Sequence, residues 1–345
     1  MDINKILQTA VNYKASDIYL SQGIKPFLRI NGKLHAIEAH EEINEEIIKN
    51  YLSQILNEEQ YLNFTKHKDY DMALEVKDVG RFRVNTFFQN KGIGIVLRFI
   101  PDEIKSIDEL NLPHQLKKIA DLKQGIVLVT GPTGQGKSTT MSAIINEINQ
   151  NHSYNIITIE DPIEFVYKNK KSIIQQREVE NHTKDYNTAL KSALRESCDV
   201  ILVGEMRDEK TIQLALTAAE TGHLVISTLH TSGAAKTVDR IIDSFSSEKQ
   251  NQIRSQLSES LRTVIWQQLV PSSDGKSRVA ALEIMNNNDA IGNLIRQNKT
   301  FQINSVIETS SSSGMITMKK YIENLLQTGF ISKEEALKYI KGLGI

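Results

Sequence analysis

Up to about residue 100 the apolar positions take turns between helical spacing and extended alternation. Ile3, Ile6, Leu7 and Ala10 recur as one face of a helix. Asp17-Ile18-Tyr19-Leu20 and Phe27-Leu28-Arg29-Ile30 read as strands instead, the second followed by Asn31-Gly32, a hairpin turn signal. A further helix is predicted over 43–56, then three strands over 70–76, 80–89 and 94–100. Together these predict an α+β module spanning residues 1–100. Pro101 breaks the pattern, and the acidic, polar stretch that completes 101–112 reads as a linker.

From residue 113 the rhythm changes to short β-branched runs separated by helical patterns. Ile126-Val127-Leu128-Val129, Asn155-Ile156-Ile157-Thr158-Ile159, Val200-Ile201-Leu202-Val203 and Leu224-Val225-Ile226-Ser227-Thr228 alternate with helical stretches such as 139–149 and 188–196. Strands that are apolar almost without interruption suit a mainly parallel sheet covered on both faces, so an α/β domain is predicted over 113–270. Residues 271–345 read as a mostly helical C-terminal part, with helices over 288–296, 315–328 and 332–343.

The candidate chemistry lies at the ends of those buried strands. Gly131-Pro132-Thr133-Gly134-Gln135-Gly136-Lys137-Ser138 matches G-x-x-x-x-G-K-[ST], follows an apolar strand and precedes a helix that begins near Thr139. Glycines there let backbone N–H groups and the helix N-terminus face phosphate oxygens. Lys137 would neutralise the β and γ oxygens and the Ser138 hydroxyl would ligate Mg²⁺.

Such a loop needs an acid on a neighbouring strand. Glu205 follows Val203-Gly204, and Glu160-Asp161 closes the strand at 155–159, so two acidic sites compete for the metal and base roles. Glu205 could instead pair with Arg207, and Asp161 before Pro162 could be a turn residue. His223 and His230 bracket the strand at 224–228. A histidine there can orient a γ-phosphate or be a satisfied core side chain, and His230 is the better candidate. No His/Cys cluster accompanies them, so zinc is not expected.

Composition narrows the class. A chain of 345 residues is long enough for about two domains at roughly 150 residues each. With 41 Lys+Arg against 42 Asp+Glu, the net charge of -1 offers no global electrostatic reason to bind nucleic acid or anionic lipid. One cysteine, Cys198, excludes an internal disulfide and a multi-Cys zinc site, and suits a reducing compartment. The apolar runs fall far short of the ~20 residues that cross a bilayer, and the N-terminus lacks the apolar core of a signal peptide. The expectation is a cytoplasmic protein without direct membrane insertion.

The phosphate loop, Ile157-Thr158-Ile159-Glu160-Asp161-Pro162-Ile163-Glu164, Val203-Gly204-Glu205-Met206-Arg207-Asp208 and Ser227-Thr228-Leu229-His230-Thr231 follow one another in this order. Together they resemble the Walker A, Asp box, Walker B and His box of the secretion ATPase superfamily, the motors of type IV pili and type II secretion. Ala15-Ser16-Asp17 and Gly80-Arg81-Phe82-Arg83-Val84-Asn85 resemble the N-terminal PAS-like domain of its pilus-retraction members. Arg240-Ile241-Ile242-Asp243 and Gly314-Met315 extend the likeness toward the C-terminus.

The resemblance implies a PAS-like domain followed by a RecA-like P-loop ATPase domain, with ATP and Mg²⁺ as cofactors. Residues 131–139 would hold the nucleotide, Lys137 its phosphates, and Ser138 and Glu205 the metal. Glu205 would be the Walker B acid, Glu160 would position or activate water, and His230 would couple nucleotide state to the sheet. Arg81, Arg83 and Arg98 would swing over the nucleotide on domain closure, although 81 and 83 share a strand face and read equally as a solvated charged stripe. It also implies a homohexamer at the inner membrane, bound to a pilus platform protein.

Extension and secretion members usually add an N-terminal domain and a four-cysteine zinc insertion, so the short chain and single cysteine point to retraction. Ala290-Ile291-Gly292-Asn293-Leu294-Ile295-Arg296-Gln297 departs from the retraction pattern Ala-Ile-Arg-Asn-Leu-Ile-Arg-Glu, and Tyr19 stands where a His is common. An accessory or assembly-type ATPase of the superfamily and a RecA-like nucleic-acid translocase are the alternatives.

Overall fold

The computed structural model describes residues 2–30, 32–100 and 103–342; the hairpin residue Asn31, the break at Pro101 and the last residue of the helix predicted over 332–343 lie outside the described residues. The chain divides into two units, residues 1–103 with 162–166, and residues 104–161 with 167–345.

In the first unit α1 (Ile3–Asn12) precedes β1 (Asp17–Ser21), β2 (Phe27–Ile30) and β3 (Lys33–Ala36), and α2 (Glu45–Ile55) and α3 (Glu58–His67) precede β4 (Asp69–Val76), β5 (Gly80–Gln89) and β6 (Gly92–Ile100). The strands form one antiparallel sheet in the order β3-β2-β1-β6-β5-β4. Its two faces differ, as a period of two requires. Ile18, Leu20, Leu28, Phe82, Val84 and Leu97 are buried and cluster with Ile6 and Leu7 of α1, Tyr51 and Leu52 of α2 and Phe64 of α3. Asp17, Tyr19, Arg29, Arg83 and Arg98 occupy alternate or cross-paired positions on the opposite face. Helix α3 is an addition to the predicted elements. Phe64 is its only buried residue, so apolar periodicity is nearly silent, and its start is marked instead by a capping box between Asn57 and Gln60.

The second unit carries β7 (Gly125–Thr130), α4 (Lys137–Asn151), β8 (Asn155–Glu160), β9 (Ile173–Glu178), α5 (Tyr186–Ala193), β10 (Val200–Val203), α6 (Glu209–Glu220) and β11 (Leu224–Leu229). It continues through α7 (Ala234–Asp243), α8 (Ser247–Ser260), β12 (Leu261–Pro271), β13 (Arg278–Asn286), α9 (Asp289–Arg296), α10 (Ile303–Thr309), α11 (Met318–Gln327) and α12 (Lys333–Gly342). The strand order is β13-β12-β7-β11-β10-β8-β9, parallel throughout except for the last pair, β12 with β13. Apolar residues of α5 to α8 fill one face, while those of α4 and α11 fill the other. This is the expected α/β architecture of a parallel sheet buried on both sides.

Two features differ from the sequence reading. The part beyond residue 270 contributes β13 to the sheet before its helices begin, and β12 ends only at Pro271. Strand β12 places Gln267 and Gln268 together, and β13 is built from Val279-Ala280-Ala281-Leu282-Glu283, residues that favour helix as much as strand. Tertiary pairing decides the alanine-rich part of β13, whereas β12 also carries the strand-forming run Thr263-Val264-Ile265-Trp266. The other difference is that 104–112 belongs to the second unit, where Ile107 and Leu112 are buried. Among the described residues no helix is long and apolar enough to cross a membrane.

Phe64 is fully buried and stacks on Phe88 with ring centroids 4.9 Å apart. Phe64→Ala is expected to destabilise the first unit by about 3–5 kcal/mol, whereas Leu62→Ala on the exposed side of the same helix stays within about 0.5 kcal/mol. Urea denaturation followed by circular dichroism checks both; equal effects would contradict this account of how α3 is held.

Candidate active site

Parallel pairing in register sets the carboxyl ends of four strands side by side. Thr130 of β7 pairs with Leu229 of β11, and Val203 of β10 pairs with Ser227 of β11 and Ile159 of β8. Directly after these positions come Gly131, His230, Gly204-Glu205 and Glu160. Four motifs far apart in sequence therefore share one edge of the sheet, where ligands bind in open α/β folds.

The loop at 131–136 turns through three glycines with positive φ: Gly131 at 143°, Gly134 at 76° and Gly136 at 75°. At Gly131 a Cβ would stand 2.4 Å from the Gln267 carbonyl oxygen, so only glycine fits against β12. Lys137 is buried and its Nζ donates to the Gly131 and Pro132 carbonyls at 2.7 and 3.0 Å, which puts the ammonium inside the curve of the loop. Ser138 and Thr139 are half-buried in the first turn of α4, while Pro132, Thr133 and Gly134 are exposed. Gln135 turns back to the sheet, its Oε1 accepting from the Leu269 N–H at 2.6 Å.

Beside the loop runs a chain of polar contacts that links the lysine to an acid. The Lys137 Nζ stands 3.4 Å from His230 Nδ1, His230 Nε2 is 3.2 Å from Glu205 Oε1, and Arg207 Nη2 is 2.8 Å from Glu205 Oε2. An ammonium donating to Nδ1 calls for the tautomer that carries its proton on Nε2, aimed at Glu205. Glu205 therefore pairs with Arg207 and contacts His230 at once. Glu160 is buried and accepts from Thr158 Oγ1 at 2.7 Å and Gln176 Nε2 at 3.3 Å. His223 lies at the other end of β11, where its Nδ1 faces the Ala218 carbonyl at 3.0 Å and closes a turn. It takes no part in this edge.

Two residues join the site without a motif to announce them. The Tyr186 hydroxyl packs over Gly204, where an added Cβ would lie 3.1 Å from it and 3.3 Å from the Ile159 carbonyl oxygen. That crowding explains a strand ending in Gly-Glu. Burial, then the Asp161 carboxylate, pushes the Tyr186 hydroxyl far above its ordinary pKa, so it stays protonated among the acids. Gln267, buried on β12, donates to the Gln135 carbonyl at 2.6 Å and accepts from Thr140 Oγ1 at 2.7 Å.

The arginines belong to the first unit. Arg98 Nε donates to Asp17 Oδ1 at 2.9 Å, and Arg29 approaches the same buried carboxylate at 3.6 Å while both its Nε and Nη2 donate to the Tyr19 hydroxyl. Arg83 lies opposite Arg98 across β5 and β6 and faces Asp71 at 4.0 Å and Glu164 at 3.9 Å. Arg81 is half-buried two residues earlier on the same strand face. Arg29, Arg83 and Arg98 thus each have an acidic partner that offsets the charge, and Asp17 is shared between Arg29 and Arg98.

The loop, the helix N-terminus and the buried ammonium suit a nucleoside polyphosphate. The family described as type II/IV secretion system protein matches residues 1–328. The chain belongs to this family. It is similar to the type IV pilus retraction ATPase PilT of Pseudomonas aeruginosa, 46% identical over 99% of this chain and 98% of that protein. It is 50% identical to a twitching motility protein of Neisseria gonorrhoeae over 90% of this chain and 83% of that one. The solved structure of the pilus retraction motor PilT with bound ADP resembles it with a TM-score of 0.91 at 42% identity, covering 98% of this chain and 96% of that one. The likeness to the secretion ATPases first read from four motifs therefore extends through both units.

The departure at Gly292 also has a physical setting in this family member. A Cβ there would stand 3.3 Å from the Ser258 carbonyl oxygen and 3.7 Å from Arg296 Nη1, which donates to Ser258 Oγ at 3.0 Å. Gly292 lets α9 lie close against the end of α8.

Lys137→Ala is expected to abolish tight nucleotide binding, since phosphate charge would be left uncompensated in a buried site. Glu205→Gln should retain nucleotide and slow hydrolysis by about 10²-fold or more. Equilibrium binding and steady-state phosphate release separate the two, and normal turnover in either variant would remove the proposed site.

Proposed function

We propose that this chain is the ATP-hydrolysing motor of type IV pilus retraction, acting as a homohexamer. The observation that carries the reading is the contact chain from Lys137 through His230 to Glu205 at the phosphate loop, in a chain similar over nearly its whole length to a pilus retraction ATPase. Residues 131–139 hold ATP, with Lys137 on the β and γ oxygens. Ser138 and Glu205 take Mg²⁺. Among the described residues no three His, Cys, Asp or Glu side chains converge to hold a metal alone, which suits an ion that draws most of its ligands from phosphate and water. Glu160 positions the attacking water. His230, in reach of both the ammonium and the Walker B acid, registers whether the γ-phosphate is present.

Arg81, Arg83 and Arg98 contact nucleotide when the two units close, and ring assembly supplies the heterologous interface on which a motor works. The force passes to a platform protein at the inner membrane, so the protein acts in the cytoplasm and touches the membrane only through its partner. An accessory role beside another retraction ATPase is the second reading, and Gly292 in α9 favours it, because the charged side chain usual in the retraction pattern is missing there.

Deleting the gene in its host should produce hyperpiliated cells that do not twitch; bald cells would contradict retraction, and unchanged pilus numbers would move the assignment to the accessory role. Light scattering with an ATP analogue is expected to give a mass near six chains, against which a strictly monomeric ATPase would count. Arg81→Ala, Arg83→Ala and Arg98→Ala should lower turnover far more than nucleotide affinity. Wild-type rates in all three, with unaltered melting, would confine the chemistry to the second unit.

A further inference from the structure

The phosphate loop is gripped from a strand more than a hundred residues further along the chain. The Gln267 side chain, 1% exposed, spans from the Gln135 carbonyl at 2.6 Å to the Thr140 hydroxyl at 2.7 Å. These two partners flank Gly136 and Lys137, so one carboxamide ties the end of the loop to the first turn of α4. The grip has further points. The Gln267 carbonyl oxygen closes on Gly131 so tightly that no Cβ fits, and the Gln267 Nε2 would lie 3.0 Å from a Cβ on Gly136. In return, Gln135 Oε1 accepts from the Leu269 N–H, two residues along β12.

We propose that Gln267 is a positioning residue, which holds the loop in its nucleotide-binding shape before the nucleotide arrives. The inference rests on reading residues 131–138 as the phosphate loop. A loop with glycine at 131, 134 and 136 has more backbone freedom to lose than an ordinary segment, and each alternative conformation dilutes the one whose N–H groups converge. Binding must then supply the ordering free energy, and the apparent affinity falls with the fraction of competent loop. A buried carboxamide with both ends satisfied removes that cost in advance. Both side-chain hydrogen bonds of Gln267 go to the loop and to the first turn of α4, so its effect belongs in affinity and not in the chemical step.

The test uses the full chain, with binding of a fluorescent ATP analogue and steady-state kinetics on Gln267→Leu, Thr140→Val and the double variant, and thermal melts as a folding control. Gln267→Leu is expected to raise Kd and KM for ATP about tenfold with kcat within about twofold. Thr140→Val, which leaves the bond to Gln135 intact, should raise Kd by a smaller factor. The double variant should match Gln267→Leu alone, because both changes act through one bridge. A merely structural glutamine would lower the melting temperature and leave Kd unchanged, which would overturn the proposal, as would effects that multiply in the double variant. If Gln267→Leu does not fold, Thr140→Val decides by itself: unchanged affinity overturns the inference. Failure of the wild-type chain to bind nucleotide would strike the loop assignment itself, a distinct outcome.

Discussion

Backbone pairing between β7, β11, β10 and β8 is the constraint on which the rest depends. These are parallel strands, so their hydrogen bonds fix not only neighbours but also which ends lie together. Register carries the motifs: a residue following Thr130 is set beside one following Leu229, and the ends of β10 and β8 follow in step. Small side-chain bonds lock the same edge. Ser227 Oγ donates to the Val203 carbonyl and Thr228 Oγ1 to the Gly204 carbonyl, both at 2.7 Å. A one-residue slip would turn these hydroxyls to the opposite face and take Glu205 out of reach of His230.

On that scaffold each acid has its own partners. His230 stands between Lys137 and Glu205, Arg207 holds the other oxygen of Glu205, and Glu160 accepts from Thr158 and Gln176. Two carboxylates with separate environments fit the separate roles proposed for them, one toward metal and one toward water. The first unit applies the same rule to its arginines. Asp17, 5% exposed, accepts from Arg98 and approaches Arg29, whereas the acids that face Arg83 stand at 3.9 and 4.0 Å. Arg98 would have to leave a short charge-assisted bond before it could serve a ligand, and Arg83 would not.

Sequence legibility followed the strength of local signals. Glycine spacing, strand-end acids and β-branched runs announced the loop, Glu160, Glu205, His230 and the central parallel strands. Those are features written within a dozen residues. Helix α3 escaped because one buried Phe64 makes no periodicity, and β13 escaped because its alanines carry no strand preference, while β12 has the strand-forming run Thr263-Val264-Ile265-Trp266 interrupted by a glutamine pair. Gln267 and Tyr186 were illegible for a deeper reason. Their meaning lies entirely in a partner more than a hundred residues away, or in a strand end against which they pack, and no spacing rule reaches that far.

Strand β12 has a second edge, and what it holds there gives the grip on the loop a wider consequence. Trp266, beside Gln267, pairs with Glu283 of β13, whose Oε1 accepts from the Ala234 N–H at the start of α7. The backbone N–H of Met318, first in α11, also favours the charged form of this carboxylate. Burial pushes the Glu283 carboxyl above the usual range, and two helix N-termini are what oppose that push. Helix α7 begins four residues after His230. The strand pair β12 and β13 therefore touches the phosphate loop through Gln267 and, through Glu283, the helix that leaves the histidine. A shift of β12 large enough to loosen one contact would strain the other, because paired strands move as a unit. The loop that faces phosphate and the histidine that faces the acid are thus held to one reference, which neither motif contains.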